Sequence, residues 1–281
     1  MANSLVHVLA TREQLAAFDE KEDAERVCLI GSHWIQVMGV LLELRQRVVG
    51  TSLVLFRRYC TLRRVNNLEV GMTALTCLLL GCKAAETAVS IKQLCTVGMY
   101  VCGMDKIEKK ETDACTAGGT DATENTSSDP FVLPSLYDEL LLRTTEELLR
   151  RELVVLEALN FELHVVLPHA LGVQYLQTLG LVRDTQFVQT CWNLMNDALR
   201  TRLCVSLAPF CVAVGCVALA ARIHHRKLPD EWYRVFDATV QDTADVEAAL
   251  TAMYSAMLEA QAGPSKPAWM HMREVEYATI H

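Results

Sequence analysis

Long apolar runs are missing from this chain, which removes one class of protein at the outset. The longest, residues 70–82 and 210–221, stop well short of the roughly 20 residues that a bilayer-spanning helix needs. Residues 1–25 have neither the basic start nor the apolar run of a secretory leader, so the expectation is a soluble, intracellular protein. Positive charge is also short. The sequence has 26 Lys and Arg against 34 Asp and Glu, a net charge of −8, which argues against coating nucleic acid by phosphate neutralisation. Its 7 prolines fall mainly at the edges of periodic segments, and β-type alternation is scarce. Helix is the remaining choice.

Recognisable chemistry is lacking as well. Gly118-Gly119 is followed by neither a lysine nor a helix start, so no phosphate-cradling loop is present, and no H-E-x-x-H occurs. His224 and His225 are neighbours that point about 100° apart on a helix, which reads as a solvated helix end rather than a metal site. His164 and His169 flank Pro168 at a segment junction, where capping or packing is the ordinary role. The 11 cysteines form no C-x-x-C, and Cys77/Cys82 and Cys211/Cys216 are spaced so as to point to different sides of a helix. They read as small core hydrophobes. The carboxylates form no acid/base constellation. The sequence therefore assigns no catalytic residue, no cofactor and no metal.

What is present is apolar surface at helical spacing. Hydrophobic residues make up 51% of 281 residues, enough to bury two modest cores. Residues 25–44 and 47–64 are amphipathic, the second interleaving Val48, Leu53, Leu55, Phe56 and Tyr59 with Arg57 and Arg58. Residues 70–82 are apolar on every side, the mark of a helix in the middle of a bundle. A helix over 91–101 follows. Another runs over 137–159, with Leu140, Leu141, Leu148, Leu149, Leu153 and Leu156 on its expected buried side. Between them, residues 103–135 turn to Thr, Ser, Asp, Glu and Gly, a composition that predicts a mobile acidic surface loop.

Pro168 opens a second set of helices that echoes the first. Residues 187–202 are amphipathic, 210–223 are apolar all round, and 231–240 and 245–259 are amphipathic again. Gly71, Ala74 and Gly81 in one central helix, and Ala213, Gly215, Ala218 and Ala221 in the other, let neighbouring helices approach closely. The fold class expected is all-α, a duplicated bundle. Its parts are an N-terminal helical extension at 1–38, a first bundle at 39–163, a second at 164–260 and a tail at 261–281.

Four segments resemble the cyclin family, and its L-type members most closely. WIQVMGVLLELRQRVVGTSLVLFRRY at 34–59 is similar to the opening of the first cyclin box. LLLGCKAAE at 78–86 is similar to the family's L-A-S-K-x-x-E, and ELVVLEALNFEL at 152–163 matches E-x-x-V-L-x-x-L-x-F-x-L. QTCWNLMNDALRT followed by VALAARIHHRKLP, within 189–229, resembles the L-type second box. The resemblance implies two tandem five-helix cyclin boxes and a nuclear regulatory subunit that binds and activates a cyclin-dependent protein kinase as a heterodimer, in transcription or RNA processing. No membrane and no direct nucleic-acid contact is implied. It also implies the kinase-binding residues. Lys83 and Glu152 match a pair that lies close together in cyclins and meets backbone groups beside the kinase's C-helix. Leu156, Phe161 and Leu163 match apolar positions lining the groove for that helix, and Ala84 and Glu86 belong to the same rim. Ala84 stands where the family has a larger apolar residue, which implies a shallower groove. Arg57 is expected on a face turned away from the kinase.

Two other readings use the same helices. A transcription factor of the TFIIB type would be more basic and carry a zinc ribbon, and a non-activating scaffold would not need Lys83 and Glu152.

Overall fold

A computed structural model describes residues 8–19, 24–66, 69–101 and 139–262. The acidic segment 103–135 and residues 263–281 of the tail lie outside the described residues. Among the described residues every regular element is helical.

The first half holds α1 (Arg12–Asp19), α2 (Ala24–Leu41), α3 (Gln46–Leu62), α4 (Val70–Ala84), α5 (91–101) and α6 (Glu139–Ala158). Thr11 and Gln14 exchange hydrogen bonds at the start of α1, each side chain accepting from the other's backbone N–H. The second half holds α7 (Pro168–Thr178), α8 (Thr185–Ala198), α9 (Leu203–Ser206), α10 (Pro209–Ile223), a 3-10 turn (Trp232–Phe236) and α11 (Val240–Ala262). Pro168 and Pro209 each sit in the first turn of a helix, where a missing N–H costs nothing.

Each half is built around one apolar helix. In the first, α4 is wrapped by α2, α3 and α6, with Leu53, Phe56, Ala74, Leu78 and Leu148 fully buried. In the second, α10 is wrapped by α7, α8 and α11, with Phe187, Met195, Ala213, Val217 and Leu250 fully buried. The small residues read from the sequence explain how close these helices come. A Cβ on Gly81 would lie 2.0 Å from Ser52 Oγ and 3.1 Å from the Val48 carbonyl, and one on Gly215 would lie 2.5 Å from Val246 Cβ.

The structure differs from the sequence expectation in several places. Arg57 and Arg58, the charged residues interleaved in the amphipathic pattern of 47–64, are buried rather than solvated, at 1% and 7% exposed. Both sit where the two halves meet. Arg57 donates to both oxygens of Glu25 and to the Arg200 carbonyl, so the buried charge is compensated from α2 and from the second half. The expected boundary between residues 38 and 39 falls inside α2, whose Ile35, Val37 and Met38 all belong to the first core. On α6 only Leu141, Leu148 and Val155 are buried, while Leu140, Leu149 and Leu153 are exposed. The helix expected over 231–240 is instead the short 3-10 turn, flanked by left-handed residues at Glu231 and Asp237. Its aromatic side chains do the packing, with the Phe236 ring stacked 4.0 Å from Tyr175. A Thr239–Asp242 capping box then starts α11.

Candidate protein-interaction site

Lys83 lies in the last turn of α4. That helix ends in a tight left-handed closure: Glu86 takes φ 52°, its N–H donates to the Lys83 carbonyl at 3.1 Å, and the Thr87 N–H donates to Cys82 at 2.9 Å. The buried helix and its closure fix the Lys83 backbone, and the ammonium at a helix C-terminus is favourably placed in the helix dipole. Its side chain is 51% exposed and its Nζ stands 2.5 Å from Glu152 Oε1, whose side chain is 14% exposed. Glu152 is held there because α6 packs along α4.

The face of α6 beside Glu152 is apolar and, among the described residues, uncovered. With about 100° per residue, Leu141, Leu148 and Val155 form one buried line, and Leu142, Leu149, Leu153 and Leu156 form a second line about 60–120° further round. Of the second line, Leu142 is 52%, Leu149 45% and Leu153 54% exposed, while Leu156 is half-buried against the first core. Covering such half-exposed leucines would stabilise a complex by roughly 1 kcal/mol each. After α6 the chain turns through Asn160 and Phe161, both at positive φ, leaving Phe161 63% exposed.

The expected site residues therefore take different positions. Lys83 and Glu152 are in direct contact, Ala84 and Glu86 are exposed on the rim beside them, and Leu156 lies one turn beyond Glu152 on the same face. Phe161 projects from the end of α6, whereas Leu163 turns inward and packs on the first core. Leu149 and Leu153, expected on the buried side, and Leu142 beside them lie on the surface. The signal that separates them is the seven-residue spacing of 141, 148 and 155, which alone supplies the buried line.

The second half repeats the helix-end geometry. Arg222 holds the position of Lys83 in the last turn of α10, His225 closes that helix at φ 50°, and Arg222 pairs with Glu247 on α11. Counted from the glutamate, however, Leu149, Leu153 and Leu156 are replaced by Ala244, Ala248 and Thr251.

The nine described cysteines are buried. Burial pushes the Cys82 thiol up to about 11 and the Cys191 thiol up to about 12, far from a reactive thiolate. No group of three or more potential metal ligands occurs among the described residues, and none of the described helices is long and apolar enough to cross a membrane.

Comparison with known proteins gives a consistent outcome. Residues 9–164 match the family described as "Cyclin, N-terminal domain". A cyclin-L1-like protein of Schizosaccharomyces pombe is 42% identical over 254 residues, spanning 90% of this chain and 92% of that relative. Cyclin-L1 of Homo sapiens is 29% identical over 220 residues, which is 78% of this chain and 38% of that protein. The chain thus spans nearly all of the fission yeast relative and under half the length of the vertebrate ones. Among solved structures, a chain of the yeast RNA polymerase II CTD kinase complex CTDK-1 superposes with a TM-score of 0.68 at 15% identity, covering 97% of this chain and 84% of that one. A chain of the Chaetomium thermophilum CAK complex gives 0.55 at 14% identity, covering 88% of this chain and 76% of that one. At these identities the likeness shows the fold, an all-α pair of tandem boxes.

Proposed function

This chain belongs to the cyclin family, and from that we propose that it is the regulatory subunit of a cyclin-dependent protein kinase, acting in the nucleus in transcription or RNA processing. The observation that carries the reading is the Lys83–Glu152 pair set beside the uncovered leucines of α6. A kinase helix laid along Leu149 and Leu153 would cover the apolar flank. Lys83 would then donate to carbonyls, and Glu152 would accept N–H groups, at the end of that helix. Excluding water strengthens such charge-assisted bonds. Activation would follow from placement: kinase catalysis needs its C-helix glutamate within reach of the phosphate-binding lysine, and a rigid outer face sets where that helix rests. The names of the relatives and the kinase complexes among the structural neighbours support this reading.

The test is to co-express the chain with each cyclin-dependent kinase of its own genome and capture the complex through the chain. Phosphorylation of a peptide copied from the RNA polymerase II C-terminal domain is then compared with that by kinase alone. One kinase should be retained and should gain activity. Retention without gain would favour a non-activating scaffold, and no retained kinase would reject the proposal.

A further inference from the structure

Phe161 combines two unfavourable features. A bulky side chain at φ 58° is rare, because the left-handed region crowds its Cβ, and the residue is 63% exposed to water. Its neighbour Asn160 is left-handed too, at φ 52°. A strained, solvated aromatic persists only where the surroundings over-determine its backbone, and that combination points to use.

One restraint comes from α6 itself, since the Phe161 N–H donates to the Leu156 carbonyl at 2.8 Å and the Glu162 N–H to Leu159 at 3.0 Å. The other comes from α3. Arg58 reaches the segment from beneath, its Nη2 donating to the His164 carbonyl at 3.0 Å and its Nη1 to the Glu162 carbonyl at 3.3 Å. The Glu162 side chain adds a third tie, accepting from the His164 N–H at 2.9 Å. Leu163, Val165 and Leu167 meanwhile turn onto the first core. The ring is thus left as the outward member of a segment fastened at both ends.

We propose that Arg58 is a positioning residue for the docking face: its planar guanidinium clamps the 162 and 164 carbonyls so that the Phe161 ring is presented, already ordered, to the kinase helix. This rests on the reading of that face given above. Two carbonyls held by one rigid fork suit arginine, and a lysine could hold only one of them at a time. A preordered aromatic anchor pays little entropy on binding.

The experiment is a double-mutant cycle on the full chain, using the purified kinase that the wild-type chain retains. Affinities are measured for Arg58→Lys, Phe161→Ala and the double variant, with thermal unfolding of each. Phe161→Ala should weaken binding at least tenfold and Arg58→Lys about tenfold. The double variant should be within about twofold of Phe161→Ala, because an arginine that acts through the ring has nothing left to position. Wild-type affinity in Arg58→Lys, or a loss that simply multiplies with that of Phe161→Ala, would overturn the clamp. Unchanged binding in Phe161→Ala would instead overturn the reading of the face, so the two failures are distinguishable. Should Arg58→Lys fold poorly, Glu162→Ala loosens the same segment from an exposed position. It should weaken binding severalfold in the wild-type background and not in the Phe161→Ala background, and an unchanged affinity rejects the proposal.

Discussion

Arg57 and Glu25 meet through paired bonds of 2.8 Å each, the arginine side chain 2% exposed and the glutamate side chain 49% exposed. The arginine also donates to the Arg200 carbonyl. One guanidinium therefore ties α2, α3 and the second half together. Burial alone would pull that guanidinium down, but the Glu25 carboxylate beside it holds it well above the ordinary arginine range.

Because the charge on Arg57 is buried, losing its counter-ion should be expensive. Glu25→Ala is expected to destabilise the chain by about 3 kcal/mol, a drop of roughly 6–12 °C in melting temperature. A drop under about 2 °C would mean that water enters the joint and solvates the arginine.

Acid should loosen the fold in two steps. His169 is buried, its Nε2–H donating to Asn196 Oδ1 at 2.7 Å, an oxygen that also accepts from Gln46. Burial holds its ring below the usual 6.5, although the bond to Asn196 opposes this. For Glu25, burial would raise the carboxyl, but the charge and hydrogen bonds of Arg57, with help from Arg202, outweigh it and hold the group below 4.5. In both cases the unfolded chain takes up the proton first, so stability falls as pH falls. The first loss begins below about 6.5 and the second below about 4.5. Urea midpoints measured from pH 8 to pH 3 should show both. His169→Gln should flatten only the first, and Glu25→Gln only the second.

Binding and stability should separate at the exposed pair. Lys83→Ala or Glu152→Ala is expected to weaken kinase binding at least tenfold, consistent with roughly 2–5 kcal/mol for a covered charge-assisted contact. The free chain should lose no more than about 1 kcal/mol. Titration calorimetry and scanning fluorimetry on the same samples test this, and full-strength binding by the double variant would falsify the docking face.

The two lines of leucines on α6 should also behave oppositely. Leu148→Ala removes a fully buried side chain and should cost about 2–5 kcal/mol of stability. Leu153→Ser, on a residue 54% exposed, should leave melting within about 2 °C and weaken kinase binding severalfold. Equal effects on melting would return Leu153 to the core.

Thiol chemistry gives a check that needs no partner. The nine described cysteines are buried, so brief alkylation of the native chain, read by mass spectrometry, should spare all nine. Prompt labelling of Cys60 or Cys204 would contradict the packing around Arg57.

Much of this arrangement can be read from residues alone, and the exceptions have physical causes. The unbroken apolar character of 70–82 marks a central helix, and Gly81 and Gly215 mark where its neighbours press close. Lys83 and Glu152 could be paired only through the family resemblance, since 69 residues separate them. Arg57 was illegible because its partners lie 32 and 143 residues away, and an arginine among apolar residues ordinarily signals a wet face. On α6 there are too many leucines for a single stripe, so periodicity admitted more than one buried side. The 3-10 turn escaped because five residues anchored by aromatic rings look like a short amphipathic helix.

The repeated helix end gives the molecule an asymmetry of its own. Lys83–Glu152 and Arg222–Glu247 are twin contacts at matching backbone positions, yet only the first has leucines beside it; the second faces Ala244 and Ala248. The repeated helix end supplies the ionic geometry twice and the adhesive surface once. On the proposed reading the complex should hold one kinase per chain. Transplanting leucines to 244 and 248 would then be the shortest route to a chain that recruits a helix at its other end.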